Sequence, residues 1–318
     1  MEREYKIDNL RAIAILLVVL GHSIIIYDPN WGVITSDTEC LPFFYLKQMI
    51  NLIQMPLFFS ISGYCFCLSK NQNFGKNLLL VKFKRILIPY FIVCILYMNP
   101  IKSLLGVPGY ELSLSMCVQQ VLLFTNNGHL WYLPSLFLMF IVTSIGIMGG
   151  RNRKMMFLIA IVLSVVSNRV PSVFSLSQFC LYYVYFIFGY IICFYRNKIC
   201  INKKVALLLC LIPMGLSLVI SNGGLIKHSL FVMMALCCCL GFYNIMPLGK
   251  TKIFYRLSRD SYGIYLFHSP LIYFMYMLYP NSFPVVMLLV NFFVCGSISL
   301  SVIYIVRKLS LNFIIGEK

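Results

Sequence analysis

The stretch IDNLRAIAILLVVLGHSIIIY, residues 7–27, decides what kind of protein this chain can form. It is apolar and long enough to cross a bilayer as a helix, yet it carries Arg11 at its start and His22 in its middle. Their spacing corresponds to three helical turns and about 16 Å, so both side chains point the same way. Ionisable groups inside a membrane span usually face a protein interior or a wet cavity. The pair therefore predicts a site, against the simpler alternative that Arg11 is an interfacial anchor and His22 a packing residue.

The rest of the chain has the same apolar character. Of its 318 residues, 60% are hydrophobic and 11% are charged, and apolar blocks alternate with short polar loops. Ten candidate spans cover residues 7–27, 45–69, 85–98, 130–148, 155–168, 177–195, 205–220, 229–247, 259–279 and 284–306. A further apolar run at 112–124 suits a re-entrant or interfacial helix. We therefore predict an all-α, polytopic membrane helix bundle of about ten transmembrane helices, with residues 1–318 forming a single domain in contact with the lipid bilayer.

The positive charges predict how the bundle is oriented. The net charge is +17, and 22 of the 26 Lys and Arg residues lie at one end of the predicted spans. The four exceptions are Lys47, Lys102, Arg169 and Lys227. Because short cytoplasmic loops collect positive charge, both termini are predicted to be cytoplasmic, in a multi-pass protein of the inner membrane. Charges dispersed over short loops in this way do not indicate a nucleic-acid partner.

Cysteine and histidine are too scattered to indicate a metal site. The chain has 13 Cys and 4 His, and most of the cysteines lie within apolar segments. No paired metal-ligand spacing occurs among them. We therefore predict neither a bound metal nor a disulfide framework.

Further candidate site residues lie near the ends and the middle of other spans. His268 reaches a depth in the ninth span similar to that of His22, either as a structural hydrogen-bonding residue or as part of a shared cavity. A histidine at this depth suits a general base, because much of it is neutral near pH 7. Arg85 opens the third span, where its guanidinium suits a phosphate or serves as an ordinary cytoplasmic charge.

The segment HLWYLP, residues 129–134, opens the fourth span at the opposite end. Its His129, Trp131 and Tyr132 have two interpretations. They are interfacial belt residues, or they form an aromatic face beside a polar group on which a sugar ring stacks.

Five segments together resemble the acyltransferase 3 family of integral membrane acyltransferases, and most closely its fucose 4-O-acetylase-like branch. They are RAIAILLVVLGH at 11–22, QMPLFFSISGY at 54–64, KRILIPY at 84–90, HLWYLP at 129–134 and SYGIYLFH at 261–268. The resemblance implies transfer of an acyl group, commonly acetyl from cytoplasmic acetyl-coenzyme A, to a hydroxyl of a cell-envelope or exopolysaccharide sugar. It matches His22 to the family's essential histidine, Arg11 to the arginine before it, and Arg85 to the basic residue that opens the third span. Ala12 departs from the glycine found in many relatives.

Several alternatives stay open from the sequence. A transporter or export partner for polysaccharide or lipid-linked sugar would also need a polar bundle and charges at the inner face. The sequence leaves undecided which sugar hydroxyl accepts which acyl group, and whether the acceptor is lipid-linked. It also leaves open whether His22 acts as a base or is itself acylated, and what the oligomeric state is.

Overall fold

The computed structural model describes residues 4–34, 36–69, 75–220 and 224–317, and within these ranges it is helical with no strand. The all-α prediction is confirmed. The α-helices are α1 Tyr5–Ser23, α2 Leu41–Leu68, α3 Lys76–Lys82, α4 Ile88–Val93, α5 Asn99–Leu104, α6 Leu114–Val121, α7 Tyr132–Met148, α8 Arg153–Val166, α9 Leu176–Phe194, α10 Lys203–Val219, α11 Leu225–Ile245, α12 Lys252–Leu278, α13 Pro284–Leu289 and α14 Gly296–Lys308.

Short turns of other helical types extend or join these elements. Tighter 3₁₀ turns span Ile25–Tyr27, Gly128–Trp131, Ser167–Arg169, Val173–Ser175 and Asn312–Ile315. Wider π turns span Phe83–Leu87, Cys94–Met98 and Val290–Cys295. The π turns join α3, α4 and α5 into one helical run and α13 and α14 into another. Each predicted span thus coincides with a helix or with part of a helical run.

Helix length and composition show that this is a membrane protein. Five helices of the described chain are long and apolar enough to cross a bilayer: Leu41–Leu68, Gly128–Met148, Val173–Phe194, Leu225–Ile245 and Pro284–Lys308. Helix α10 adds a stripe of large apolar side chains that are about half exposed, at Leu207, Leu208, Leu211 and Ile212. Such a stripe is expected where a helix faces lipid rather than water.

The third helical run, from α3 to α5, is longer than the predicted span 85–98, and two lysines, Lys82 and Lys102, lie inside it. The Lys82 ammonium sits 3.5 Å from the centroid of the Phe140 ring. Lys102 is fully buried, and its ammonium lies 3.8 Å from the centroid of the Tyr273 ring. Aromatic faces attract cations electrostatically, so these charges are accommodated without ending the helix. The apolar run at 112–124 forms the short helix α6, whose first turn is capped by Ser113.

Helices α2 and α9 approach each other unusually closely. A Cβ added at Gly63 would lie 1.9 Å from the carbonyl oxygen of Phe186, and one at Gly189 would lie 1.8 Å from that of Ser60. Each glycine therefore packs directly against the partner's backbone, as small residues do between membrane helices. The aromatic residues of α2 and α9 are thereby brought together beside the site.

Candidate active site

His22 is held at the end of α1 by two backbone contacts. Its Nδ1 lies 2.9 Å from the carbonyl oxygen of Val18. A carbonyl oxygen only accepts, so Nδ1 carries the proton in the neutral ring and Nε2 keeps the lone pair. Tyr276 of α12 donates a 2.6 Å hydrogen bond to the backbone carbonyl of His22, which also accepts a backbone N–H at the helix end. The imidazole is thus fixed in orientation, with a basic nitrogen available.

Three histidines from different parts of the chain form one cluster. Because α1 packs against α12, the rings of His22 and His268 lie 4.9 Å apart between centroids. The ring of His129 lies 5.4 Å from that of His268. His268 holds its Nδ1 2.9 Å from the carbonyl oxygens of Ile264 and Tyr265, and its Nε2 has no hydrogen-bond partner among the described residues. Sequence analysis left open that His268 and His22 share one cavity. Their rings are in contact, but His268 does not line the cavity that His22 lines, and the proximity of His129 was not expected.

The outer cavity is the one that His22 lines, and it has a volume of about 340 Å³. Its polar lining consists of His22, Asp28, Asn30, Lys47, Asn51, Gln54 and His129, and its aromatic lining of Trp31, Trp131, Tyr182 and Tyr265. Both tryptophans of the chain are therefore in this wall. Asn30 and Asn51 are exposed, so the cavity opens to the surface.

Several lining groups of the outer cavity are unpaired hydrogen-bond acceptors. His129 uses Nε2 for the carbonyl oxygen of Leu266 at 3.2 Å, and its Nδ1 is buried without a partner within the described chain. Gln54 donates its amide to Asn51 at 3.0 Å, and its Oε1 is likewise unpartnered there. With Nε2 of His22, they make a wall that accepts hydrogen bonds from a ligand rich in donors.

The basic cavity is a second space, of about 350 Å³, on the other side of Tyr265. Its cations are Arg11, Lys82, Arg85 and Arg259, and its other polar lining includes Ser62, Ser261, Tyr132, Tyr262 and Glu317. Arg85 and Arg259 are exposed, so this cavity also reaches the surface.

The cations of the basic cavity are largely free of carboxylate partners. Arg11 contacts the Cys65 thiol at 3.1 Å, and Arg85 donates to the backbone carbonyl of Gly316 at 3.1 Å. Neither they nor Lys82 have a carboxylate within 4.0 Å in the described ranges. The carboxylate of Glu317 is engaged instead by Arg307, at 2.5 Å. The cavity thus keeps an excess of positive charge, which suits an anionic ligand.

A single side chain, Tyr265, lines both cavities. Its ring lies 5.6 Å from that of His129 and 5.4 Å from that of Tyr132, measured between centroids. Its hydroxyl donates to the backbone carbonyl of His129. The outer and basic cavities therefore meet at Tyr265, and α1 contributes His22 to the first and Arg11 to the second.

The structure distributes the predicted site residues over both cavities. His22, His129 and Trp131 line the outer cavity, whereas Arg11, Arg85 and Tyr132 line the basic one. His268 contacts the ring of His22, lines neither of these two cavities and is completely buried. Tyr132 thus lies apart from Trp131, because consecutive helical residues point about 100° apart. No group of His, Cys, Asp and Glu suited to a metal occurs in the residues described.

Four of the residues that sequence analysis did not assign to the site are Gln54, Tyr265, Lys47 and Trp31. Gln54 and Tyr265 lie inside two of the quoted motifs, so those motifs were the available signal for them. Lys47 was counted only as an exception to the charge pattern, and Trp31 lies in a loop with no signal. All four line the outer cavity.

Comparison with known families identifies the class of protein. A family model described as an acyltransferase domain, that of the acyltransferase 3 family, matches residues 4–308 of the 318. The chain belongs to this family. It is therefore a membrane acyltransferase that transfers groups other than amino-acyl groups, and the transport alternative is not favoured. No curated protein and no solved structure matches it.

Proposed function

We propose that this protein transfers an acyl group, acetyl in the simplest case, from acyl-coenzyme A to a hydroxyl of a cell-envelope or exopolysaccharide sugar. The observation that carries the proposal is the meeting of the two cavities at Tyr265. One of them is cationic, and the other combines a basic imidazole with aromatic walls. A transferase for two chemically different substrates needs two such compartments and a short path between their reacting groups.

The basic cavity suits the donor. Coenzyme A is polyanionic, and guanidinium forks bind phosphate oxygens through paired, charge-assisted hydrogen bonds. Arg11 and Arg85 have no carboxylate partner in the described chain that a phosphate would have to displace. A donor whose phosphates are bound near Arg11 must bring its thioester about 16 Å along α1 to reach His22. The extended pantetheine arm is of that order of length.

The outer cavity suits a carbohydrate acceptor. Sugar hydroxyls donate hydrogen bonds, and the cavity offers unpaired acceptors at His129 Nδ1 and Gln54 Oε1. Apolar sugar faces pack on aromatic rings, and Trp131 and Trp31 supply such rings. An analogue without these hydroxyls would leave the polar groups of the site unpaired. Such a site therefore discriminates strongly against analogues that lack the hydroxyls.

His22 acts as the general base in this proposal. Its Nε2 takes the proton of the acceptor hydroxyl as the hydroxyl oxygen attacks the thioester carbonyl. The tetrahedral adduct then collapses, the carbon–sulfur bond breaks, and the imidazolium returns the proton to the leaving thiolate. The products are the O-acyl sugar and free coenzyme A. General-base catalysis of this kind contributes about 10² to 10⁴ in rate.

We also propose that the ten predicted spans cross the inner membrane, with both termini in the cytoplasm. The support is the partition of Lys and Arg, of which 22 of 26 belong to one end of the spans. That end includes Arg3, Lys70 and Lys318, which lie outside the described residues. The arrangement gives the basic cavity access to cytoplasmic acyl-coenzyme A.

Replacement of His22 tests the chemistry. Purified His22→Ala and His22→Gln proteins, reconstituted in vesicles with radiolabelled acetyl-coenzyme A and a sugar acceptor, should lose at least about 10²-fold in transfer. They should still bind the donor, because the basic cavity is intact. Near-normal transfer by His22→Ala would end this mechanism and would shift the base role to His268. Acid-quenched reactions show in addition whether an acylated His22 accumulates, which direct transfer does not produce.

A further inference from the structure

A third cavity opens on the side of the bundle next to the outer cavity. This lateral groove has a volume of about 340 Å³ and lies between α2, α9 and α11. Most of its wall is apolar, and includes Leu52, Pro56, Leu181, Phe231, Val232 and Ala235. The groove shares two residues, Asn51 and Tyr182, with the outer cavity. The lateral groove and the outer cavity therefore adjoin at these two side chains.

One end of the lateral groove carries a positive charge. Lys227 lines it and is half-buried, with no carboxylate within 4.0 Å in the described part of the chain. It is one of four cations outside the basic end of the bundle. A positive charge at that end is unusual, because Lys and Arg of membrane proteins are concentrated in the cytoplasmic loops. An anionic group on the ligand explains it, since a half-buried ammonium gains from a phosphate partner.

The combination defines the chemistry of the occupant. It requires a hydrocarbon chain for the groove, a phosphate for Lys227, and a hydroxyl-rich ring for the adjoining outer cavity. Building on the proposed function, we infer that the acceptor sugar is presented on a polyprenyl phosphate or diphosphate, whose chain lies in the lateral groove. Asn51 and Tyr182, at the boundary of the two cavities, then contact the junction between phosphate and sugar.

Binding of a sugar-free lipid tests this inference independently of catalysis. Detergent-purified full-length protein is titrated with fluorescent decaprenyl phosphate, and the Kd is compared among three variants. Lys227→Met removes the charge but keeps an apolar side chain, and Ala235→Leu fills the groove. Lys227→Met should raise Kd at least about tenfold, the scale of one lost charge-assisted hydrogen bond. Ala235→Leu should also raise Kd about tenfold or more, because its side chain takes the space of the lipid chain. Lys204→Met, an exposed lysine of α10, is the matched control and should leave Kd unchanged.

Competition and transfer complete the test. Phosphatidylglycerol that displaces decaprenyl phosphate with equal affinity would show an ordinary phospholipid site and would overturn the inference, as would an unchanged Kd in both groove variants. In transfer assays, Lys227→Met should raise KM for a polyprenyl-linked sugar at least about tenfold while leaving transfer to the free sugar unaltered. If the unaltered protein transfers an acyl group to no acceptor, the proposed function is contradicted. The Kd for decaprenyl phosphate then still shows whether the lipid binds in the lateral groove.

Discussion

Substitution of the glycines where α2 crosses α9 provides a quantitative test of the structure. In Gly63→Ala, the new methyl would lie 1.9 Å from the carbonyl oxygen of Phe186. Carbon and oxygen atoms that are not bonded stay about 3.3 Å apart even in close contacts, so the helices must separate by about 1.4 Å. The obstructing atom is backbone and cannot rotate away. We expect a loss of about 3 kcal/mol in the free energy of unfolding, the upper end of the usual cost of overpacking.

The reciprocal contact makes the prediction sharper. Gly189→Ala should cost a similar amount, because its methyl would meet Ser60 at 1.8 Å. The separation that relieves one clash also relieves the other, so the double variant should lose about 3 to 4 kcal/mol rather than the sum. Gly215→Ala is the matched control, since nothing lies within 4 Å of its added Cβ. It should stabilise α10 by about 0.5 kcal/mol or more through helix propensity.

The assay is unfolding of the protein in mixed micelles by titration with sodium dodecyl sulfate, followed by circular dichroism. Transfer activity should fall as well, because Phe59 and Tyr182 face each other across this crossing with ring centroids 5.1 Å apart. Tyr182 is part of the outer cavity wall. A Gly63→Ala protein with the unaltered unfolding midpoint would refute the close helix contact. Additive losses in the double variant would refute its reciprocity.

Three further predictions concern the substrates and the orientation. Arg11→Lys and Arg85→Lys should each weaken acetyl-coenzyme A binding by about tenfold or more, because the forked hydrogen bonds to phosphate are lost. Calorimetric titration measures the affinity, and Arg151→Lys, at an exposed position, is the control. Unchanged affinity would place the donor elsewhere. Trp131→Leu should raise KM for the sugar several-fold, on the scale of about 1 kcal/mol for a lost aromatic contact; an unchanged KM would remove Trp131 from the acceptor site. A reporter fused after Lys318, which lies outside the described residues, should be active only in the cytoplasm, and activity outside it would contradict the ten-span topology.

The helices, and the position of Arg11 and His22 on one face of α1, could be predicted from the sequence because their signals are local. Apolar block length indicates each helix, and the spacing of Arg11 and His22 places both on one face of α1. The motif around His268 indicated the second histidine. These predictions required only the geometry of single helices and the assumption that the first and ninth spans are neighbours.

The remaining features depend on contacts between distant segments. The length of the third helical run is one example, because a lysine such as Lys82 or Lys102 is costly in an apolar span unless a neighbouring element accommodates it. Here aromatic rings from α7 and α12 do so. The π turns Phe83–Leu87 and Cys94–Met98 shift the helical register, so a regular helical projection cannot show which way Arg85 points. The position of Tyr265 between two cavities follows only from the packing of α12 against α1 and α7.

The presence of two cavities that meet at Tyr265 has a consequence for steady-state kinetics. Each cavity has its own exposed residues, Asn30 and Asn51 for one and Arg85 and Arg259 for the other. Neither substrate has to leave before the second binds, so direct transfer proceeds through a ternary complex with no obligatory order. Double-reciprocal plots then intersect, and free coenzyme A competes with the acyl donor but inhibits noncompetitively with respect to the sugar. If the proposed topology and function hold, the donor and acceptor concentrations govern the rate as independent variables.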